Sequence, residues 1–418
     1  MTFRKFVPYV LVAGISSAGA QGLYNLAELD DEYGSSPLTY FGGITAHYDD
    51  NIVPLSGNDE DGFSIEPYIG ASVANVGPRT SYDAYARLGA IYYFDNIEGA
   101  DDDLYPAIST GLNINHQATE RLRVTSSLYA NYQLEPDYSA GVATNRLLGS
   151  YLTYGIDVAV GYRWTERLGT YTGVFINGLS YDDDAVELDN GTRFDPSDFD
   201  RRTYGIRHQF RYQLSPQTVA TAGATYSTTD SDGSAGDSDN LFVSAGLEHR
   251  FNQNTIGAIR AGAQFRDVDG GESSTAPYVE ASFRTQVNQQ FALKSFLRYQ
   301  IEDYGTSRGN FTYDENQVLR FGVTGTYQVS QKLSLNAGAN YITSDFSEGR
   351  NTAANDAEVD SFDEDLLNFF AGFTLGLTDN VSLNGTYNYS TFDSDDDFFG
   401  GDRDYDRNRF SLGVSATF

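Results

Sequence analysis

From Leu38 to Phe418 the chain alternates apolar and polar side chains in stretches of about ten residues, separated by turn-rich gaps. A period of two puts successive side chains on opposite faces, so each stretch reads as a strand with one dry and one wet side. The last stretch shows this: Phe410, Leu412, Val414, Ala416 and Phe418 fall on one face, and Arg409, Ser411, Gly413, Ser415 and Thr417 on the other. The pattern predicts strands at Leu38–Tyr48, Ser64–Ala74, Ser81–Phe94, Tyr105–His116, Leu122–Gln133, Tyr151–Trp164 and Leu168–Tyr181. Thr203–Leu214, Thr218–Tyr226, Leu241–Phe251, Ile256–Arg266, Ala276–Val287 and Phe291–Glu302 follow. Val318–Val329, Leu333–Ser344, Leu366–Leu377, Val381–Phe392 and Arg407–Phe418 complete the set. That makes about eighteen, with sixteen as the alternative, and an even number is what a single-chain bacterial barrel requires.

The gaps fall into two kinds that alternate along the chain. VGPRT, HQATER, TERLG, SPQ, NQNT, NQQ, SQK and TDN are short. GNDED, GADDD, YDDDAVELDNGTRFDPSDFD, TDSDGSAGDSDN, the stretch 347–365 and DSDDDFFGGDRDYD are long and acidic. Short periplasmic turns and long outer loops are the expectation for an outer-membrane barrel, whereas a soluble β-sandwich has no reason to sort its loops by parity. The fold class expected is therefore all-β, a transmembrane antiparallel barrel over 38–418. Such a barrel hides its lipid face in alternate residues, which reconciles it with a mean hydropathy of −0.41.

Aromatic residues near the strand ends read as two interfacial girdles. Tyr162, Trp164, Tyr212, Phe251, Phe291, Tyr327 and Phe418 lie near short turns; Tyr48, Tyr226, Tyr299, Tyr341 and Tyr389 lie near long gaps. The chain holds 31 Tyr and 27 Phe beside one Trp and one Met, a balance that suits strands and opposes disorder. Residues 1–20 read as an export signal: Arg4 and Lys5, an apolar run from Phe6 to Ile15, then Ala18-Gly19-Ala20 before the cut. A short periplasmic segment at 21–37 would follow. There is no cysteine, hence neither a disulfide nor a lipid-modified thiol.

The closing FSLGVSATF resembles the C-terminal signal by which outer-membrane barrels are recognised for assembly, carried here by Phe410, Leu412, Val414 and Phe418. ITAHYDDNI (Ile44 to Ile52) and the apolar restarts after short turns are similar to the putative beta-barrel porin 2 family. The resemblance spans nearly all of 21–418. It implies a porin-like barrel without a defined catalytic site, in a family some of whose members are associated with exopolysaccharide export.

Net charge is −31, and −33 once the two leader cations are removed, so the chain will not bind nucleic acid or anionic lipid through its overall field. Face assignment nevertheless places cations inside. With the apolar set outward, the inward set holds Arg87, Arg123, Arg163, Arg207, Arg211, Arg250 and Arg260. It continues with Arg266, Arg284, Lys294, Arg298, Arg320, Arg407 and Arg409. Inward carboxylates are fewer: Glu66, Asp83, Asp157, Glu248, Glu280 and Glu302. One reading pairs these arginines with carboxylates on neighbouring strands. The other is a water-filled lumen that favours anions through guanidinium forks and sugars through Asn, Ser and Thr.

Other chemistry finds little support. Asp230, Asp232, Asp237 and Asp239 lack the EF-hand pattern, since Leu241 stands where that loop needs Glu. Of four histidines, His116, His208 and His249 fall on the apolar face, His47 stands elsewhere, and no nucleophile elbow, zinc motif or phosphate loop accompanies them. The expectation is a non-enzymatic channel without cofactor or bound metal, for passive or facilitated diffusion of small hydrophilic solutes, anionic or saccharide. Its partners would be outer-membrane lipids, lipopolysaccharide, the barrel-assembly machinery and those solutes, with no nucleic acid. A structural or adhesive barrel without an open pore and an exopolysaccharide exporter are the alternatives. Oligomeric state is not fixed by these features.

Overall fold

The computed structural model describes residues 35–52, 61–94, 103–134, 150–182, 200–232, 236–303, 311–351, 357–395 and 404–418, residue 354, and the backbone of 186–187, 193–194 and 307–308. Residues 1–20, expected as a leader, nearly all of 21–37 and most of the long acidic gaps lie outside these residues. Strands run β1 (Ser36–Asp49), β2 (Gly62–Val76), β3 (Thr80–Tyr93), β4 (Leu104–Gln117), β5 (Leu122–Gln133) and β6 (Tyr151–Arg163). Next come β7 (Leu168–Tyr181), β8 (Arg201–Ser215), β9 (Thr218–Ser231), β10 (Ser238–Asn252), β11 (Thr255–Val268) and β12 (Ser274–Gln286). The series ends with β13 (Phe291–Ile301), β14 (Phe311–Gln328), β15 (Leu333–Asn351), β16 (Phe362–Gly376), β17 (Val381–Ser394) and β18 (Tyr405–Thr417).

These form one antiparallel sheet, joined by the short additions Ser307–Arg308 beside β14 and Ala357–Val359 beside β15. β1 pairs with β18 from Phe41 opposite Thr417 to Asp49 opposite Arg409, which closes the sheet into a barrel. Phe418 extends the seam, donating its backbone N–H to Tyr40 at 2.7 Å. Closure is required physically, because hydrocarbon cannot satisfy a free strand edge. Among the described residues the fold is the predicted eighteen-stranded barrel.

Boundaries near the long gaps differ from the alternation pattern. β14 and β15 run 18 and 19 residues, well past the predicted Val318 and Ser344. At about 3.3 Å per residue such strands outreach an apolar band of about 25 Å and stand above the membrane on the loop side. There they carry their own packing: the rings of Phe346 and Phe362 stack at 4.5 Å, and Tyr313 meets Phe362 edge-on at 5.0 Å.

Candidate functional site

Strand register settles which side chains share the inner face. The outer face is lipid-like throughout: Ile69 is 66% exposed, and Val174, Ile259, Phe410 and Leu412 are similarly bare. Trp164, Tyr212, Phe251 and Tyr327 are exposed on that same side, and Phe418 is 78% exposed, the most of any large apolar residue among the described residues. Tyr162 packs edge-on against Trp164 at 4.7 Å, and Phe291 against Tyr327 at 6.5 Å. At the loop side four tyrosines donate to an outward aspartate on the next strand or just before it: Tyr48 to Asp61 at 3.2 Å, Tyr226 to Asp239 at 2.9 Å, Tyr341 to Asp365 at 2.8 Å and Tyr389 to Asp406 at 2.7 Å. Each aspartate lies two positions beyond the tyrosine's direct partner, so the same diagonal recurs in four hairpins. Tyr299 makes the equivalent diagonal to Gln317.

The outward histidines have one arrangement in common. His116, His208 and His249 each share an Nδ1 hydrogen bond of 2.8 Å with a threonine on the adjacent strand, Thr80, Thr172 and Thr218. His47 instead faces the lumen, 2.7 Å from Ser411 Oγ through Nδ1 and 3.5 Å from Glu66 through Nε2.

Inside, the cations are organised by strand pairing. Arg163 is level with Gly169, Gly169 with Arg211, Arg211 with Thr221, Thr221 with Gly246 and Gly246 with Arg260. The same row continues through Glu280 and Arg298 to Arg320. It starts at the last residue of β6, beside a short turn, and ends in the middle of β14. The row therefore climbs the wall as it circles it. A lower row places Arg250, Ile256, Arg284 and Lys294 side by side and contains no acidic residue.

Carboxylates meet the arginines higher up. Glu248 receives Arg211 and lies 3.7 Å from Arg260, which also reaches Glu280 at 3.2 Å. Asp157 takes both guanidinium nitrogens of Arg207, and Glu66 takes Arg87 at 2.7 Å. Asp49 takes Arg407 and, at 3.1 Å, Arg409. Lys294 is exposed to the lumen, and Arg163 donates to the Glu120 carbonyl at 3.2 Å. Arg123 stands level with Gly161 near the short-turn end. On the opposite wall the polar groups are neutral: Asn368 donates to Asn388 and to Ser390, both at 2.9 Å, and Asn340 donates to Asn368 at 3.4 Å. Inward rings press flat on glycines of the next strand, as Tyr129 does on Gly155 and Phe296 on Gly322, where any Cβ would collide.

Two features escaped the sequence reading. The end of β13 parts from β12, where pairing stops at Tyr299, but stays on β14 as far as Ile301 opposite Gln317; Ile301 also exchanges two hydrogen bonds with the Gln264 side chain on β11. Asp303 then accepts from Thr229 at 3.0 Å, Ser238 at 2.8 Å and Arg266 at 2.9 Å, all on inner-face positions. Glu302 is held by Arg320 at 2.6 Å and Arg298 at 3.0 Å. Burial alone would raise the Glu302 carboxyl, but those two guanidiniums hold it down to about 2. Asp303 is likewise lowered, by Arg266 and its hydroxyl donors against burial. The segment 301–303 thus crosses inside β12 and occupies part of the lumen. The second feature is an apolar stripe on the inner wall: Ile342, Leu366, Phe392 and Tyr405 lie level across β15 to β18 and are at most 6% exposed.

Among the described residues no three acidic or imidazole groups converge as metal ligands. Asp239 is already engaged by Tyr226 and Thr228, and Asp237 by the Ser231 backbone.

A closed barrel with an apolar exterior and a polar, charged interior defines a porin-type outer-membrane protein. The chain belongs to the family described as Putative beta-barrel porin 2, whose sequence profile matches residues 43–418. Membership places it in the outer membrane of a Gram-negative bacterium as a porin-like channel. No curated protein matches the chain. Solved structures similar to it include Pseudomonas aeruginosa OpdK with vanillate, at 13% identity, 91% of this chain, 99% of that one and TM-score 0.45. Acinetobacter baumannii OccAB4 is similar at 12% identity, 92% and 99% coverage and TM-score 0.45. Pseudomonas aeruginosa OpdO is similar at 15% identity, 91% and 97% coverage and TM-score 0.43. Likeness at these values carries nothing about solute.

Proposed function

We propose that the barrel passes small hydrophilic solutes by diffusion and that its wall favours anions, with the neutral amide side serving hydroxyl-rich molecules. The climbing row of Arg163, Arg211, Arg260, Arg298 and Arg320 carries this reading. Among the described residues the row itself holds five guanidiniums and the Glu280 carboxylate, with Glu248 and Glu302 reaching it from neighbouring positions, so the row is positive in sum. A barrel of eighteen strands is wide enough for water when side chains alone line it. In a planar bilayer under a salt gradient, the zero-current potential should take the sign of chloride preference. Replacing Arg284 and Lys294 by Gln should move it toward zero, and a cation-selective wild type would sink the proposal.

A second reading, a surface barrel with a blocked mouth, draws on the dry stripe of Ile342, Leu366, Phe392 and Tyr405. Stable ohmic steps favour the channel; silence in bilayers favours the block. Catalysis is not part of either reading. Ser411, His47 and Glu66 stand in a nucleophile–base–acid order, but the backbone N–H groups around them belong to the β1–β18 and β1–β2 ladders. No donor pair is left to hold an oxyanion.

Phe418 and the alternating Phe410, Leu412 and Val414 serve, on this proposal, as the assembly signal, with the barrel-assembly machinery and outer-leaflet lipopolysaccharide as partners. Deleting Phe418 should lower the yield of folded, heat-modifiable barrel in the outer membrane several-fold, read on gels of unheated samples. An unchanged yield removes that role.

A further inference from the structure

We infer that the inner wall over β3, β4 and β5 is a binding subsite for a neutral, extended oligosaccharide. The inference rests on the open-channel reading above and gives its hydroxyl-rich solutes a place on the wall and a length. Two tyrosines frame the subsite. Tyr85 is level with Gly111, Gly111 with Tyr129 and Tyr129 with Gly155. Each ring lies over the glycine that follows it in this row, where a Cβ would collide with it. Both tyrosines are half-buried at inner-face positions, well inside their strands. A ring seated on glycine is fixed with one face on the backbone and the other toward the lumen.

Two residues closer to the short turns, a polar lane runs parallel to the rings. Asp83, Asn113 and Ser127 stand level there. Ser127 donates to Asn113 Oδ1 at 2.8 Å, and Asn113 donates to Asp83 at 3.0 Å. Donation runs one way along the lane, which leaves acceptor capacity on the serine oxygen and on the carboxylate. Asn113 is exposed and its two neighbours are half-buried. No Lys or Arg stands at 81–85, 111–115 or 125–129. Arg87, the next inward residue above Tyr85, is committed to Glu66 at 2.7 Å and lies over the Tyr68 ring at 4.2 Å.

A wall of rings and acceptors without cations does not recruit anions. It matches a pyranose, whose apolar C–H face stacks on an aromatic ring while the hydroxyls around its edge donate to carboxylate, amide and serine oxygens. Level positions two strands apart are separated by about 9.5 Å, which lets the first and third rings of an extended β-linked trisaccharide cover Tyr85 and Tyr129. Their glycine seats hold both aromatic rings in place beforehand, so binding costs little side-chain freedom. Charged solutes and sugars accordingly use different stretches of the wall.

The test adds cellotriose to single channels of the full-length protein in a planar bilayer. The sugar should interrupt the current at millimolar concentration, and glucose, which covers one ring, should do so about tenfold more weakly. Tyr85→Ala and Tyr129→Ala should each weaken the interruption by about tenfold, and Tyr85→Phe by less than about two-fold. Asp83→Asn, which exchanges an acceptor for a donor, should weaken it several-fold. Arg284→Gln/Lys294→Gln should leave it unchanged. Saturation transfer from the detergent-solubilised barrel to the axial protons of cellotriose reads binding without an open pore. If an alanine variant fails to give a heat-modifiable barrel, Asp83→Asn and the transfer spectrum decide. Conducting channels that ignore cellotriose, or alanine variants interrupted as readily as wild type, overturn this inference alone. Transfer without conductance keeps the subsite and overturns the channel, and absence of both overturns the two together.

Discussion

Asp303→Ala should raise single-channel conductance by about two-fold or more, the largest functional change expected of one substitution in this barrel. The Asp303 carboxylate gathers Thr229 from β9, Ser238 from β10 and Arg266 from β11, and so ties the end of β13 to strands it does not pair with. Each charge-assisted bond of this kind contributes about 1.5–3 kcal/mol, and alanine removes them together. With the anchor gone, the segment 301–303 keeps its bonds to β14 and Gln264 but loses its tie to β9 and β10, and part of the cross-section it occupies is returned to water. Acid should reach the same end by another route. Glu302 titrates at about 2 instead of the usual value near 4.3, so its hold is complete above that usual value and is lost as pH falls through about 2. Conductance should stay level from pH 7 to about 4.5 and climb only toward pH 3 and below. An Asp303→Ala channel with wild-type conductance would falsify the view that this segment narrows the pore.

The largest loss of stability should come from Asp49→Ala, at the seam where the sheet closes. Asp49 and Arg407 are 8% and 5% exposed and bonded through both oxygens, and Arg409 approaches the same carboxylate at 3.1 Å. Alanine would take from Arg407 and Arg409 the buried carboxylate that both share. Breaking a buried pair from one side costs about 3–5 kcal/mol, and the cost falls when both partners go together. Urea unfolding in lipid vesicles should show the full loss for Asp49→Ala and a smaller one for Asp49→Ala/Arg407→Met. A single-variant change within about 0.5 kcal/mol of wild type would mean the seam does not depend on this pair.

The parts that could be read from the chain are those with local cause. Period two follows from the pleat, so the strands, their count and the two faces are visible wherever lipid forces alternation, as in Phe410 to Phe418. The inward position of Arg211, Glu248 and Arg260 follows from the same parity. Their partnership does not, because it depends on the register of β8 to β11, which turn geometry sets. The turn-in of β13 was hidden for a related reason. Glu302 reads as the last residue of an ordinary strand, while the donors that capture Asp303 lie between 37 and 74 residues away. The dry inner stripe did leave a trace. Tyr341-Ile342 and Leu366-Leu367 are adjacent apolar pairs that break the alternation, and such doublets mark strands covered on both sides.

The tyrosine–aspartate diagonals at Tyr48, Tyr226, Tyr341 and Tyr389 clamp the root of their hairpins from outside, below the point where the connecting chain departs. Whatever sequence joins two strands so fastened does not have to specify their alignment. Foreign peptides grafted between Ile52 and Asp61 or between Asp232 and Gly236 should accordingly be displayed without disturbing the pore beneath.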